Sequence, residues 1–443
     1  METLLPTSVS LDNISSDKIS SNKNRLITPA LFFLSAFVTA AVPLLTWLFL
    51  PLIALALSVP ALRRGKWREL IRPNAALIAL LLFAIYVFVN AAWAADRGLA
   101  FSSAALLLGV ILVTFAASRA LDQCDEQQLR SAAIAFAAGA FLGALFVIFE
   151  LLTDGALTRL VMNSMTVLKV NPKHFDVSQG HITKMKLSVL NHNVAIEVFN
   201  LWPGLLALRT VARGTRLVVL TGLFLCAVTV SVGISEHSSS QVALIASLPV
   251  FGLAWRWPKP AIRALAIVWC AAFVLVLPVN FLAYNAGLHM EPWLPSSFRA
   301  RVIIWEYTAE RVFDHPWFGI GANCTRVLKD QFGPPERPKG FVYQRTTGWH
   351  SHDLFLQIWY ELGVIGVMLA AAAGAAVVTR MTLLPIESQP FAVASFAVFL
   401  GIAAFAWSIW QEWLMCAVAI SLLYFRTAAS ATGRERREAT QKR

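Results

Sequence analysis

The chain has 443 residues, 57% of them hydrophobic and only 14% charged, with a mean hydropathy of +0.63 and a formal net charge of +12. Its apolar residues run in long blocks rather than at amphipathic spacing, which excludes an ordinary soluble globule and points to a polytopic helical membrane protein. The basic residues collect in short loops without interleaved aromatics, so no nucleic-acid partner is expected.

In chain order, residues 1–26 are polar and rich in Ser and Asn, with no short hydrophobic core before a small-residue cleavage site, and are read as a cytoplasmic tail. A spanning helix needs about 20 mostly apolar residues. Twelve stretches qualify: 27–42, 44–60, 74–93, 101–119, 131–153, 190–209, 215–233, 239–256, 262–283, 352–379, 388–407 and 411–426. The first nine fall within 27–283 and the last three within 352–426, leaving a basic tail, 427–443.

Lysine and arginine in short loops set orientation. The segments 63–72 (RRGKWRELIR), 209–216 (RTVARGTR), 256–263 (RWPKPAIR) and the C-terminal tail all fall on one side of a twelve-span chain. That side is expected to be cytoplasmic, with both termini. Cysteines are scattered without metal-ligand spacing, and only Cys324 falls in an external loop, so neither a disulfide nor a metal site is expected.

Two external segments, 154–189 and 284–351, are too long for simple turns. The second holds LPSSFRARVIIWEYTAERVFDHPWFGIGANC, where Val302, Trp305, Ala309 and Val312 keep helical spacing and predict an amphipathic helix on the external face. Pro316, Gly319 and Gly321 end it, and FGPPERPKGFVYQRTTG reads as a flap before the chain re-enters at Trp349. Three polar helix ends then share the external side: Asn191, His192 and Asn193; Glu236 and His237; and HSHD, ending in His352 and Asp353. They outline a cavity beneath a basic loop.

The stretch HDLFLQIWYELGVIG, from His352 to Gly366, resembles the signature of the O-antigen ligase superfamily, with His352, Gly363 and Gly366 in the matching positions. Upstream, Arg301, Trp305, Pro316, Gly319 and Gly321 resemble that family's arginine, tryptophan and Pro-x-x-Gly-x-Gly element, and SVLNHNVAIEVFN resembles its Asn-rich helix start. Two departures stand out. Asp353 follows the signature histidine where the family usually has Asn, Ser or Gln, and SEHSSSQ lacks the arginine of the family's Ser-Arg motif at Ser239.

The resemblance implies an all-α, GT-C-like membrane enzyme without cofactor or metal. It would move a glycan from a polyprenyl diphosphate carrier to a hydroxyl of an acceptor sugar, either a lipid A core or a growing polysaccharide, among membrane lipids at the periplasmic face. His352 is the expected base, because histidine titrates near neutrality. Arg301 is the expected diphosphate clamp, because guanidinium stays charged and offers forked donors. Asp353, His237, Arg345, Asn191 and Asn193 are the further substrate-binding candidates, with His237 the nearest cation-capable side chain to the missing arginine and Arg345 a second possible cation. His350 matches no family position.

The bland alternatives are a cap for a histidine at a helix mouth, headgroup contact for an interfacial arginine, and an aromatic belt for Trp293, Trp305, Trp317, Trp349 and Trp359. A repeat-unit polymerase of the same superfamily shares the chemistry. A transporter of lipid-linked glycans predicts internal repeats and midplane ionisable groups, and an inactive assembly scaffold is the third alternative.

Overall fold

The computed structural model describes residues 11–165, 171–335 and 344–441, without the side chains of 11–25 and 434–441. Helices α1 (Leu11–Ala41) and α2 (Thr46–Arg63) divide at Pro43, as the sequence predicts, because proline cannot donate the hydrogen bond that would continue the helix. A short α3 (Trp67–Leu70) precedes α4 (Ala75–Asn90), α5 (Arg97–Ala120) and α6 (Glu126–Leu152). Then come α7 (Ala156–Ser164), a hairpin of β1 (Phe175–Ser178) and β2 (His181–Met185), and the helices α8 (Asn191–Leu208), α9 (Gly214–Ile234), α10 (Ser238–Arg256) and α11 (Pro258–Asn285). The predicted amphipathic helix is α12 (Ser296–Val312), and α13 (Leu354–Thr379), α14 (Gln389–Ala403) and α15 (Glu412–Gln441) close the chain.

Among the described residues nine helices are long and apolar enough to cross a membrane, and Leu26–Ala41 and Gln389–Ala403 are shorter apolar helices. The remaining predicted span is α8, buried from Asn193 to Ala207. It runs through the bundle interior, which is why it tolerates Asn193, Glu197 and Asn200 where a lipid-facing helix would not. The chain is therefore an all-α polytopic membrane protein.

Short polar side chains start several helices by accepting otherwise orphaned amide hydrogens. Asn74 Oδ1 accepts from Leu77 N (3.0 Å), Asp96 Oδ1 from Leu99 N (2.9 Å) and Asp125 Oδ1 from Gln128 N (2.7 Å). Asp96 is thus the N-cap of α5.

The segment 154–189, read only as a long loop, contains structure that apolar periodicity does not reveal. Glu150, at the end of α6, accepts from Leu157 N and Thr158 N at 2.8 and 3.0 Å and so anchors α7. Asn163 exchanges two hydrogen bonds with Ile182, which ties α7 to the hairpin.

One apolar core surrounds α1, α2, α6, α8 and α15, and a second joins α4 and α11 to α13. The loop 404–411 between α14 and α15 lies across both: Ala406 packs into the first and Trp410 into the second. That loop sits at the end of the bundle where residues 90–97, 235–239, 296–328 and 350–354 also gather. Ala95 N bonds Ile320 O at 2.8 Å, and Ser239 Oγ bonds Phe405 O at 3.1 Å.

The flap is tied at its base. Phe332 bridges Thr346, and Gly333 N donates to Arg345 O at 2.9 Å. Its middle, 336–343, lies outside the described residues.

Candidate active site

The glycines of the two signature stretches face one another. Gly363 breaks the α13 backbone with φ 64° and ψ −170°. A Cβ on Gly363 would fall 2.4 Å from the carbonyl carbon of Trp317, and one on Gly319 would fall 2.3 Å from that of Glu361. The backbones are in direct contact there, held by Val364 N to Pro316 O (2.9 Å) and Gly321 N to Glu361 O (2.8 Å). The carbonyls at the break are satisfied from α4: Tyr86 Oη donates to Leu362 O at 2.7 Å, and Asn90 Nδ2 to Phe318 O at 2.6 Å. This junction fixes the Pro316–Gly321 segment, and the start of α13, relative to one another.

Just before α13, His352 adopts φ 56°, a left-handed conformation uncommon for a residue with a Cβ. Such local strain persists where the surroundings over-determine it, and it clusters at functional sites. His352 Nδ1 lies 2.6 Å from Ala406 O, so this nitrogen carries the proton and Nε2 is the free acceptor. The His350 ring is 4.0 Å from that of His352, and His350 Nδ1 accepts from the His352 amide at 3.2 Å.

Arg301, on α12, has no hydrogen bond or ion pair among the described residues, and its charge bears on His237, His350 and His352. Burial draws the His352 pKa below the ordinary 6.5; the Ala406 hydrogen bond opposes that and Arg301 adds to it. His350 is pushed down to about 3 by burial, then by the charges of His352, Arg326 and Arg301. Both rings are therefore neutral at pH 7.

Arg326 was missed by the sequence reading. It follows Thr325 in a short turn, Cys324–Val327, that Glu361 anchors, and its buried Nε has no hydrogen-bond partner among the described residues. Arg326 joins Arg301 as a guanidinium whose charge reaches His350. The signal available was its position just after the Gly-x-Gly element, in GIGANCTR.

Several expected substrate contacts have other partners. Asp353 is the N-cap of α13: its Oδ1 accepts from Phe355 N at 2.8 Å and Leu356 N at 3.1 Å. Its pKa is raised to about 7 by burial, against the lowering effect of those amides. Asp, Asn and Ser are all strong N-cap residues, so the departure from the family pattern preserves the cap.

Arg345 is no open cation: its Nη2 pairs with Glu306 (2.6 Å) and Glu310 (2.8 Å). His237 does not replace the missing arginine as a charge. Burial, followed by His192 and Arg301, pushes its pKa down to about 3, while Nδ1 bonds Ser240 Oγ at 2.7 Å. Asn193 Nδ2 donates to Ala40 O (2.7 Å) and Ala41 O (2.9 Å), closing the end of α1. Asn191 differs, because its buried Oδ1 has no partner among the described residues.

Loop 404–411 organises these groups, and no motif announces it. Phe405 O is held by Ser239, Ala406 O orients His352, and the Trp407 ring stacks with both His192 (4.8 Å) and His237 (4.6 Å). Among the described residues no three potential metal ligands converge.

This arrangement joins a neutral imidazole, its Nδ1–H committed to Ala406, to guanidinium groups without acidic partners among the described residues. The geometry is anchored on glycines and on an arginine that lie in one continuous stretch of chain. Residues 221–371 match the O-antigen ligase family. The matched segment holds Arg301, the Pro316–Gly321 element, His352, Gly363 and Gly366, and it ends before loop 404–411. A protein of Rickettsia conorii (strain ATCC VR-613 / Malish 7) named "Putative polysaccharide ligase" is 21% identical over 343 residues, covering 75% of each chain. The chain is thus a multi-pass membrane protein whose residues 221–371 are similar to the O-antigen ligase family.

Proposed function

We propose that this protein is a glycosyltransferase that moves a glycan from a polyprenyl diphosphate to a sugar hydroxyl. The observation that carries this reading is His352: its Nδ1–H is committed to Ala406, and it feels the charge of Arg301, which has no acidic partner among the described residues. The acceptor hydroxyl gives its proton to His352 Nε2 as its oxygen bonds the anomeric carbon. The bond from that carbon to the diphosphate breaks, and the diphosphate leaves with the electron pair.

Arg301 and Arg326 receive the developing charge, since guanidinium forks match phosphate oxygens and need no metal. Arg326 takes the place of the arginine absent at Ser239. Burial lowers the Arg301 pKa, but a guanidinium retains its proton at neutral pH. Asn191 Oδ1, a buried acceptor without a partner among the described residues, is suited to a sugar hydroxyl.

The basic segments 63–72, 209–216 and 256–263 connect helices at the end of the bundle opposite this site. The positive-inside rule puts that end in the cytoplasm and the site at the periplasmic face of the inner membrane. We assign the ligase reaction, transfer of a glycan to a lipid A core, on the resemblance to the O-antigen ligase family, and the name of the Rickettsia relative, "Putative polysaccharide ligase", supports a ligase.

A deletion strain complemented with wild type, His352→Ala or Arg301→Ala tests the function. Both variants are expected to insert normally and to leave undecorated core while long lipid-linked chains accumulate. Accumulation of single lipid-linked repeat units would make the protein a polymerase instead. Full rescue by His352→Ala would remove the catalytic assignment.

A further inference from the structure

Glu361, fully buried on α13, accepts hydrogen bonds from five donor groups. From the turn after Gly321 come Asn323 N (3.0 Å to Oε2), Thr325 N (3.2 Å to Oε1) and Thr325 Oγ1 (2.6 Å to Oε1). From its own helix comes Gln357 Nε2, at 3.2 and 3.3 Å from the two oxygens, and from loop 404–411 comes Trp410 Nε1. Every partner donates, which matches an acceptor-only carboxylate. A carboxylate at this depth is costly without such partners; one residue here gathers three segments that are far apart in sequence.

The loop is fastened to the same group twice. Gln357 Nε2 also donates to Ser408 Oγ at 2.8 Å, and Ser408 Oγ accepts from Trp410 N at 3.3 Å. Ser408 and Trp410 therefore bind the loop to Glu361 directly and through Gln357. Two residues before Ser408, the same loop presents the Ala406 carbonyl to His352 Nδ1.

We propose that Glu361 is a positioning residue for the transfer reaction, holding loop 404–411 through Trp410, Gln357 and Ser408 so that the Ala406 carbonyl fixes the ring and tautomer of His352. This inference rests on the reading of His352 as the base. Glu361 touches no reacting atom; it acts through the loop. Partners that orient metal-bound imidazoles change activity by roughly 10- to 100-fold when removed, and a loss on that scale is expected for an imidazole base.

The test uses the purified full-length protein in proteoliposomes, with a polyprenyl diphosphate glycan as donor and rate measured against pH. Three variants are compared with wild type: Glu361→Gln, which turns an NH2 toward donors, Trp410→Phe and Ser408→Ala. Trp410→Phe removes the bond from the loop to Glu361, and Ser408→Ala removes the two that Ser408 Oγ accepts. The groups facing His352 are Ala406 from the loop, His350 from its own strand of chain and Arg301 from α12. The Ala406 bond favours protonated His352. A loosened loop therefore moves the acid limb of the rate profile to lower pH.

The proposal expects kcat to fall by about 10-fold or more in Trp410→Phe and Ser408→Ala, with KM for donor nearly unchanged and the acid limb displaced downward. A drop in kcat with the limb unmoved, or wild-type kcat in both, overturns the positioning role while leaving His352 as the base. Activity retained by His352→Ala in the same assay overturns the base reading itself, and the positioning role with it.

Discussion

His352 Nδ1 and the carbonyl oxygen of Ala406 are 2.6 Å apart, joining the start of α13 to a loop 54 residues further along the chain. The contact leaves Nε2 as the basic nitrogen. Because burial and Arg301 together hold the His352 pKa below 6.5, the neutral, active form predominates at neutrality. The rate of transfer is expected to rise with pH along a limb centred below 6.5 and to be flat near pH 7. A pH profile of kcat/KM checks this, and a limb centred above 6.5 would contradict the burial argument.

Asp353 is expected to matter as a cap. Asp353→Asn and Asp353→Ser keep an oxygen for the Phe355 and Leu356 amides and should retain activity and thermal stability. Asp353→Ala should lose about 1 kcal/mol of stability. Thermal unfolding in detergent alongside a transfer assay separates these outcomes from a direct role in substrate binding, in which Asn and Ala would fail alike.

Gly319 and Gly363 are expected to tolerate no side chain. Each replacement by Ala places a Cβ within 2.4 Å of facing backbone, and both positions have positive φ. Gly319→Ala or Gly363→Ala should therefore abolish transfer and reduce the yield of folded protein. Gly252→Ala meets nothing within 4 Å and serves as the neutral control. Size-exclusion profiles and complementation read both effects.

Arg345 is expected to hold the base of the flap through Glu306. The side chains of this pair are 13% and 7% exposed, so Arg345→Met strands a buried carboxylate and should cost about 3 kcal/mol. Adding Glu306→Gln should restore much of that stability and activity. Thermal unfolding of the single and double variants checks this; if the double variant is stable but inactive, Arg345 acts on the substrate instead.

Much of the fold was legible because apolar runs of membrane length leave little freedom: each of the twelve predicted spans corresponds to a helix. The amphipathic helix α12 was legible for a similar reason, since Val302, Trp305, Ala309 and Val312 form one buried face. The hairpin at 175–185 was not, because its residues are largely exposed and lack the alternation that marks a strand. At the site, motif order singled out His352 and Arg301. It could not show that Asp353, Asn193 and Arg345 are occupied by local partners, which depends on backbone amides, carbonyls and carboxylates brought in by folding. Loop 404–411 was invisible for the same reason: its contribution at Ala406 is a main-chain carbonyl, which carries no residue-type signal.

The most direct measurement is transfer of a glycan from polyprenyl diphosphate to acceptor by the purified protein in proteoliposomes, comparing wild type with His352→Ala. The account predicts product from wild type and a rate about 100-fold or more lower for the folded variant. Transfer by His352→Ala at the wild-type rate would contradict it.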